Sequence, residues 1–332
     1  MTTIKSLSLK NYCGFKEINL DFTDSDNLVL LYGPNGCGKT TILQAINMLS
    51  SPKQMRCRDL DITFRQLTYH PDYIPGYEAL VDNDRIMEAE IVFDSDGKEQ
   101  RVRIEGHNNK VNKKEVEVEG KKIIFQEPNT EKTKSGIYKD EIPKEVFSHC
   151  QWIDADNPSH LQRFQMEEEY KDIFLELAEA VYNFKCEIPE GSIYGTEEQD
   201  PTTGEYITYY TDFIVHKVDR DGNVNKTHYK KMSAGERKIA KLLSELCNPS
   251  TLDKFDIILI DNIEMHIYFK RHLKLIKKLK ELFPDKQFIA TTHSGTLVDQ
   301  LDKKYLFDME NIKEKKDINF YNRLINFIKK LF

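Results

Sequence analysis

The residues with the clearest chemistry are Gly33-Pro34-Asn35-Gly36-Cys37-Gly38-Lys39-Thr40, which satisfy the spacing G-x-x-x-x-G-K-[ST]. Glycines at this spacing let a backbone turn its N–H groups inward around phosphate oxygens with no side chain in the way. Leu28 to Tyr32 is an apolar run suited to a buried strand, and residues 41–49 read as a helix. That helix adds free N-terminal N–H groups and the positive end of its dipole. Gly33, Asn35, Gly36 and Gly38 would form the cradle, with Thr41 beside it on the first turn. Lys39 is placed to reach the β- and γ-phosphates of ATP, and Thr40 to put its hydroxyl on Mg2+.

Three further pieces carry chemistry. Ser233-Ala234-Gly235-Glu236 opens a helix over 238–246. Ser233 can cap it, with Glu236 three residues on completing a capping box. A small hydroxyl and a glycine at a helix start also make a second anion site, and the two roles are compatible. Residues 257–260 form an apolar strand that ends in Asp261, a carboxylate suited to Mg2+. Residues 287–291 form another, followed by Thr292-His293-Ser294.

The elements that must position these groups alternate between strands and helices. Residues 4–9 and 15–22 alternate as two antiparallel strands, joined by a turn at Lys10–Gly14 that is either an ordinary hairpin turn or a surface against adenine. Residues 86–125 read as an antiparallel β-region whose lysine-rich tip holds Lys110, Lys113 and Lys114. Residues 146–153 read as a strand, and 156–182 as a mainly helical stretch. Asp-Gly within 219–222 predicts a hairpin between 213–218 and 224–229. Residues 269–282 form a basic amphipathic helix, and apolar positions within 319–332 recur at helical spacing. The expected fold is α/β: a P-loop NTPase core with a mixed central sheet, an antiparallel β subdomain and a helical lobe. The expected division is 1–150, 151–230, 231–318 and a terminal helix at 319–332.

Bulk properties narrow the function. The 332 residues carry net charge -7, from 48 Lys+Arg and 55 Asp+Glu, which argues against a broad DNA-coating surface but leaves room for local basic patches. The six cysteines form no C-x-x-C, which suits a reduced, cytoplasmic protein without a cysteine zinc site. No run of 18 apolar residues exists to span a membrane.

The ordered set of phosphate loop, Ser-x-Gly-Glu, strand-Asp and strand-His resembles the ABC-type ATPase head. The opening IKSLSLKNYCGFKEINLDF…LLYGPNGCGKTTILQAI is similar to the RecF, SMC and OLD-like branch in particular, and differs from the transporter subunits that carry the same head. The resemblance covers about 1–50 and 228–298. It implies that Ser233, Gly235 and Glu236 belong to a signature that meets the γ-phosphate held by an opposite protomer. It implies that Asp261 holds Mg2+ with Thr40, that His293 is the switch histidine, and that a homodimer closes around ATP. Gln151 is the candidate for the glutamine that links Mg2+ and the attacking water; Gln126 is the alternative.

The family places Glu directly after the strand-terminal Asp. Here that residue is Asn262, whose amide can orient water but cannot take its proton. Slow hydrolysis and a long-lived ATP state are therefore expected, with Glu264 the nearest substitute carboxylate. No nuclease module is apparent. Two readings stand: a nucleotide switch for a partner effector, as in anti-phage systems, or a RecF/SMC-like ATPase acting on DNA through Lys270, Arg271, Lys274, Lys277, Lys278 and Lys280.

Overall fold

The structure is a computed structural model that describes residues 1–12, 15–50, 87–107, 110–118, 121–126, 150–155, 168–189, 197–199, 206–208, 213–248 and 253–312. Residues 51–86 and 127–149 and the terminal helix expected at 319–332 lie outside the described residues. The chain divides into two compact units, 1–150 with 307–332, and 151–306.

In the first unit, β1 (Thr2–Tyr12), β2 (Phe15–Asp21), β3 (Leu28–Tyr32) and α1 (Lys39–Ser50) lead into β4 (Met87–Ser95), β5 (Lys98–His107), β6 (Lys110–Val118) and β7 (Lys121–Gln126). Six strands form an antiparallel sheet in the order β2-β1-β4-β5-β6-β7. Its alternation gives one apolar face, because successive side chains of a strand point to opposite sides. Leu9 faces Ile18 on one side and Ala89 on the other, and Ala89 faces Ile104, all buried. Leu7 repeats this with Leu20, Ile91 and Val102. A bulge between Ile4 and Ser6 changes the parity of β1, so even-numbered Ile4 and odd-numbered Leu7 are both buried. The other face is held by exposed ion pairs such as Lys10–Glu88 and Arg103–Glu88. The lysines expected at a hairpin tip, Lys110, Lys113 and Lys114, belong to strand β6 itself.

The second unit contains β8 (Cys150–Asp154), apart from its first residue, followed by α2 (Glu168–Tyr182), β9 (Lys185–Glu187), β10 (Glu197–Gln199), β11 (Tyr206–Thr208), β12 (Ile214–Val218) and β13 (Val224–His228). Then come α3 (Ala234–Leu246), β14 (Ile257–Asp261), α4 (His272–Leu282), β15 (Gln287–Thr292) and α5 (Gly295–Gln300). β16 (Leu306–Asp308) returns to the first unit and neighbours β3. β14 and β15 are parallel and buried along their whole length, as strands of parallel sheets commonly are. The expected hairpin is present: β12 pairs with β13, with Gly222 at φ +85° in the turn. β9 joins the other edge of β12, and Phe213 just before it packs edge-on against Phe174 of α2.

Candidate nucleotide-binding and hydrolysis site

The first unit builds the phosphate loop. Gly33, Gly36 and Gly38 have φ of +139°, +72° and +98°, a region that L side chains rarely adopt. At Gly38 space is limiting as well: a Cβ there would lie 2.3 Å from the Phe15 ring of β2. Lys39 is buried and folded into the loop, where Nζ donates to the Gly33 carbonyl at 2.9 Å and the Pro34 carbonyl at 3.1 Å. Asn35, Gly36 and Thr40 are exposed, and Thr41 lies on the first turn of α1. The Met309 N–H donates to the Tyr32 carbonyl at 2.9 Å, which anchors the strand just before the loop. A glycine concavity around a buried ammonium fits the β- and γ-phosphates of ATP, and the exposed Thr40 hydroxyl fits Mg2+.

The second unit builds the strand-end chemistry. Asp261 ends β14, and its Oδ1 accepts from Thr291 Oγ1 at 2.5 Å. The same Thr291 Oγ1 accepts from the Asn262 N–H at 2.8 Å, so one hydroxyl fixes both the acid and the turn after it. Asn262 sits at φ +56°, a left-handed conformation that Asn tolerates far better than Glu. The chain does not continue as a strand. Met265 N–H donates to the Asn262 carbonyl and Ile267 N–H to the Glu264 carbonyl. Glu264 therefore lies in a turn rather than on a strand face. Its Oε1 accepts from the His293 N–H at 2.6 Å, and its Oε2 is buried without a partner among the described residues. A buried carboxylate oxygen without a donor is a place for a water.

His293 follows β15 and is exposed. Next to it, Ser294 caps α5, with Oγ accepting from Leu297 N–H. The buried His272 joins this turn to the Asp261 turn. Its Nε2 is 2.8 Å from the Ile267 carbonyl and its Nδ1 is 2.7 Å from Ser294 Oγ. A carbonyl only accepts, so Nε2 carries a proton, and the serine hydroxyl can donate to Nδ1 of a neutral ring.

The signature forms as the capping box that its spacing predicts. Ser233 Oγ accepts from Glu236 N–H, and Glu236 Oε2 accepts from Ser233 N–H at 2.9 Å. Ser233 and Ala234 are exposed, and Gly235 lies 3.8 Å from the His266 side chain measured from the position of a Cβ. Lys217 and the Tyr182 hydroxyl also hold Glu236, through its carboxylate and its carbonyl. Burial opposes ionisation of Glu236, but hydrogen bonds from Lys217 and Ser233 hold its carboxyl below the usual range.

Gln151 lies at the second residue of β8, not at its end, and its side-chain amide donates to the Trp152 carbonyl. The strand's C-terminal end is Asp154, after which Ala155 N–H bonds to the Asp261 carbonyl. Gln126 is the last residue of β7. Sequence reasoning did not single out Thr291, His272, Lys217, Tyr182 or Phe15. Thr291 lies in an apolar strand run and His272 at helical spacing from Leu275, Ile276 and Leu279, and that was their only signal.

A glycine loop closed on a buried lysine, a buried strand ending in Asp, and a Ser-capped Gly-Glu helix define an ABC-type P-loop ATPase. The chain belongs to the family described as "AAA domain, putative AbiEii toxin, Type IV TA system", which matches residues 28–299. It is similar to the Retron Ec83 probable ATPase of Escherichia coli, at 23% identity over 93% of this chain and 71% of that protein. It is also similar to the Septu protein PtuA of Bacillus thuringiensis, at 24% identity over 90% of this chain and 73% of that protein. In fold it resembles the SMC head domain from Thermotoga maritima, with a TM-score of 0.54 and 15% identity over 90% of this chain and 92% of that one. Among the described residues, no helix is long and apolar enough to cross a membrane.

Proposed function

We propose that this ATPase is a slow nucleotide switch that dimerises around two ATP molecules and controls a partner effector in anti-phage defence. The observation that carries the reading is the signature. Its Ser233–Gly235 turn opens a helix whose N-terminus could take an anion, and its serine and alanine are exposed. In the ABC-type arrangement the γ-phosphate for that site comes from a second protomer, so nucleotide state becomes dimer state. Lys39, Thr40, Asp261 and His293 of one chain would then face Ser233 and Gly235 of the other. Mg2+, held by Thr40 and Asp261, would neutralise developing phosphate charge. Gln151 stays a candidate for reaching this ion.

Slow hydrolysis is supported by Asn262, which cannot act as a base. Glu264 supplies the remaining turnover, by holding the attacking water on Oε2 while Oε1 fixes the His293 backbone. The kinship with ATPases named for retron and Septu supports a defence role.

The test is ATP turnover with light scattering, alone and with double-stranded, single-stranded and nicked DNA. Weak turnover, no DNA effect and an ATP-stabilised oligomer are expected, and the partner is then sought by pull-down. A second reading, a DNA-acting ATPase, has one observation in its favour. Lys270, Lys274 and Lys277 are exposed without an ion pair among the described residues, whereas Lys278 is paired with Glu176 and Glu281. Strong stimulation by one DNA form would replace the switch with that reading.

A further inference from the structure

The signature contains a difficulty that its own neighbourhood resolves. A helix start that is to receive a phosphate carries a carboxylate, Glu236, at its third residue. The capping box needs that carboxylate, because Oε2 accepts from both the Ser233 N–H at 2.9 Å and the Ser233 hydroxyl at 3.0 Å. A negative charge beside an incoming phosphate opposes it, and the two demands conflict at one side chain.

Lys217 stands where the conflict can be settled. It projects from the middle strand of the three-stranded sheet β13-β12-β9 and places Nζ 2.5 Å from Glu236 Oε1. The lysine is about one third exposed and the glutamate one quarter, so the pair is neither fully screened nor dry. The same helix turn is fixed from two other sides. The Tyr182 hydroxyl donates to the Glu236 carbonyl at 2.6 Å, and the Arg237 guanidinium donates to the Met232 carbonyl at 2.8 Å. Both of these bonds go to backbone carbonyls and leave the carboxylate charge untouched. Among the described residues, Lys217 is the one cation paired with that charge.

We propose that Lys217 is a positioning residue for the signature: it neutralises Glu236 and draws it toward β12, so that Ser233 and the helix N-terminus can accept the γ-phosphate of ATP bound by a second copy of this chain. The role rests on the ATP-sandwiched dimer proposed above. It also links the hairpin β12–β13 to the nucleotide-sensing surface. A partner that moved this hairpin would change the charge at the signature without touching ATP.

The test measures two things separately on the full chain. Binding of a fluorescent ATP analogue at low protein concentration reads the phosphate loop. Light scattering against protein concentration with ATPγS reads the dimer. Lys217→Met should leave analogue affinity within about twofold and weaken the dimer about tenfold, and Lys217→Arg should keep most of it. The decisive variant is Lys217→Met with Glu236→Gln. With the carboxylate charge gone the lysine is no longer needed, and much of the lost dimerisation should return. A lysine that only braced the hairpin would not be rescued this way. Wild-type protein that stays monomeric with ATPγS overturns the dimer reading and this one together. Wild-type that dimerises, with Lys217→Met equal to it or the double variant no better than the single, overturns Lys217 alone.

Discussion

The phosphate loop and the signature are built on opposite plans. The phosphate loop uses backbone: three glycines at positive φ curve around a buried lysine, and an aromatic ring closes the space behind Gly38. The signature uses side chains: a serine, a glutamate and a lysine satisfy one another at an exposed helix start. The first tolerates almost no change of shape and holds its cation itself. The second keeps its shape through exchangeable polar contacts and can be retuned by charge. That difference suits the proposed roles, in which the loop would grip nucleotide and the signature would engage a second protomer.

Substitutions can break or sharpen this contrast. The largest effect is expected at Gly38→Ala, where left-handed backbone and the Phe15 ring act together. Strain and overpacking of this kind cost about 2–4 kcal/mol, so melting temperature should fall markedly and analogue binding should be lost. If Gly38→Ala bound ATP normally, the shape-based account of the loop would be wrong.

Next is Glu264→Gln, which keeps an acceptor for the His293 N–H but removes the base. Turnover should fall about 10- to 100-fold with nucleotide binding intact, read as a change in kcat. An unchanged kcat would move the water to another group. Ser233→Ala should lose the cap, at about 1 kcal/mol, and weaken ATP-dependent dimerisation while leaving the phosphate loop unaffected.

Asn262→Glu probes both sides of the comparison. Placing Glu at φ +56° should cost about 1 kcal/mol, seen in thermal denaturation. Restoring a carboxylate after Asp261 should still raise turnover. Unchanged turnover there, with Glu264→Gln inactive, would assign all proton transfer to Glu264.

The smallest effect is acid sensitivity of the signature. Glu236 has a carboxyl held below its unfolded value. Its contribution is thus present above the unfolded pKa of about 4.3 and is lost as pH falls through the lower folded value. Lys217→Met should shift that loss toward higher pH, as followed by acid unfolding.

Sequence was sufficient wherever chemistry depends on neighbours along the chain. The phosphate loop, the capping box at Ser233, the buried strand ending at Asp261 and the β12–β13 hairpin are all local patterns. They form where spacing predicts them because a turn, a cap or a two-residue alternation involves contacts within a few positions. The setting of Glu264 is not local in this way: Thr291, 29 residues beyond Asn262, holds the chain in a left-handed turn there. The strand expected to end at 153 runs to Asp154, with Gln151 inside it. Lys217 meets Glu236 across 19 residues, and Phe15 backs Gly38 across 23. The candidate phosphate-binding groups were legible in the order of residues. Which groups hold them in place depends on contacts between distant segments, and only folding brings those together.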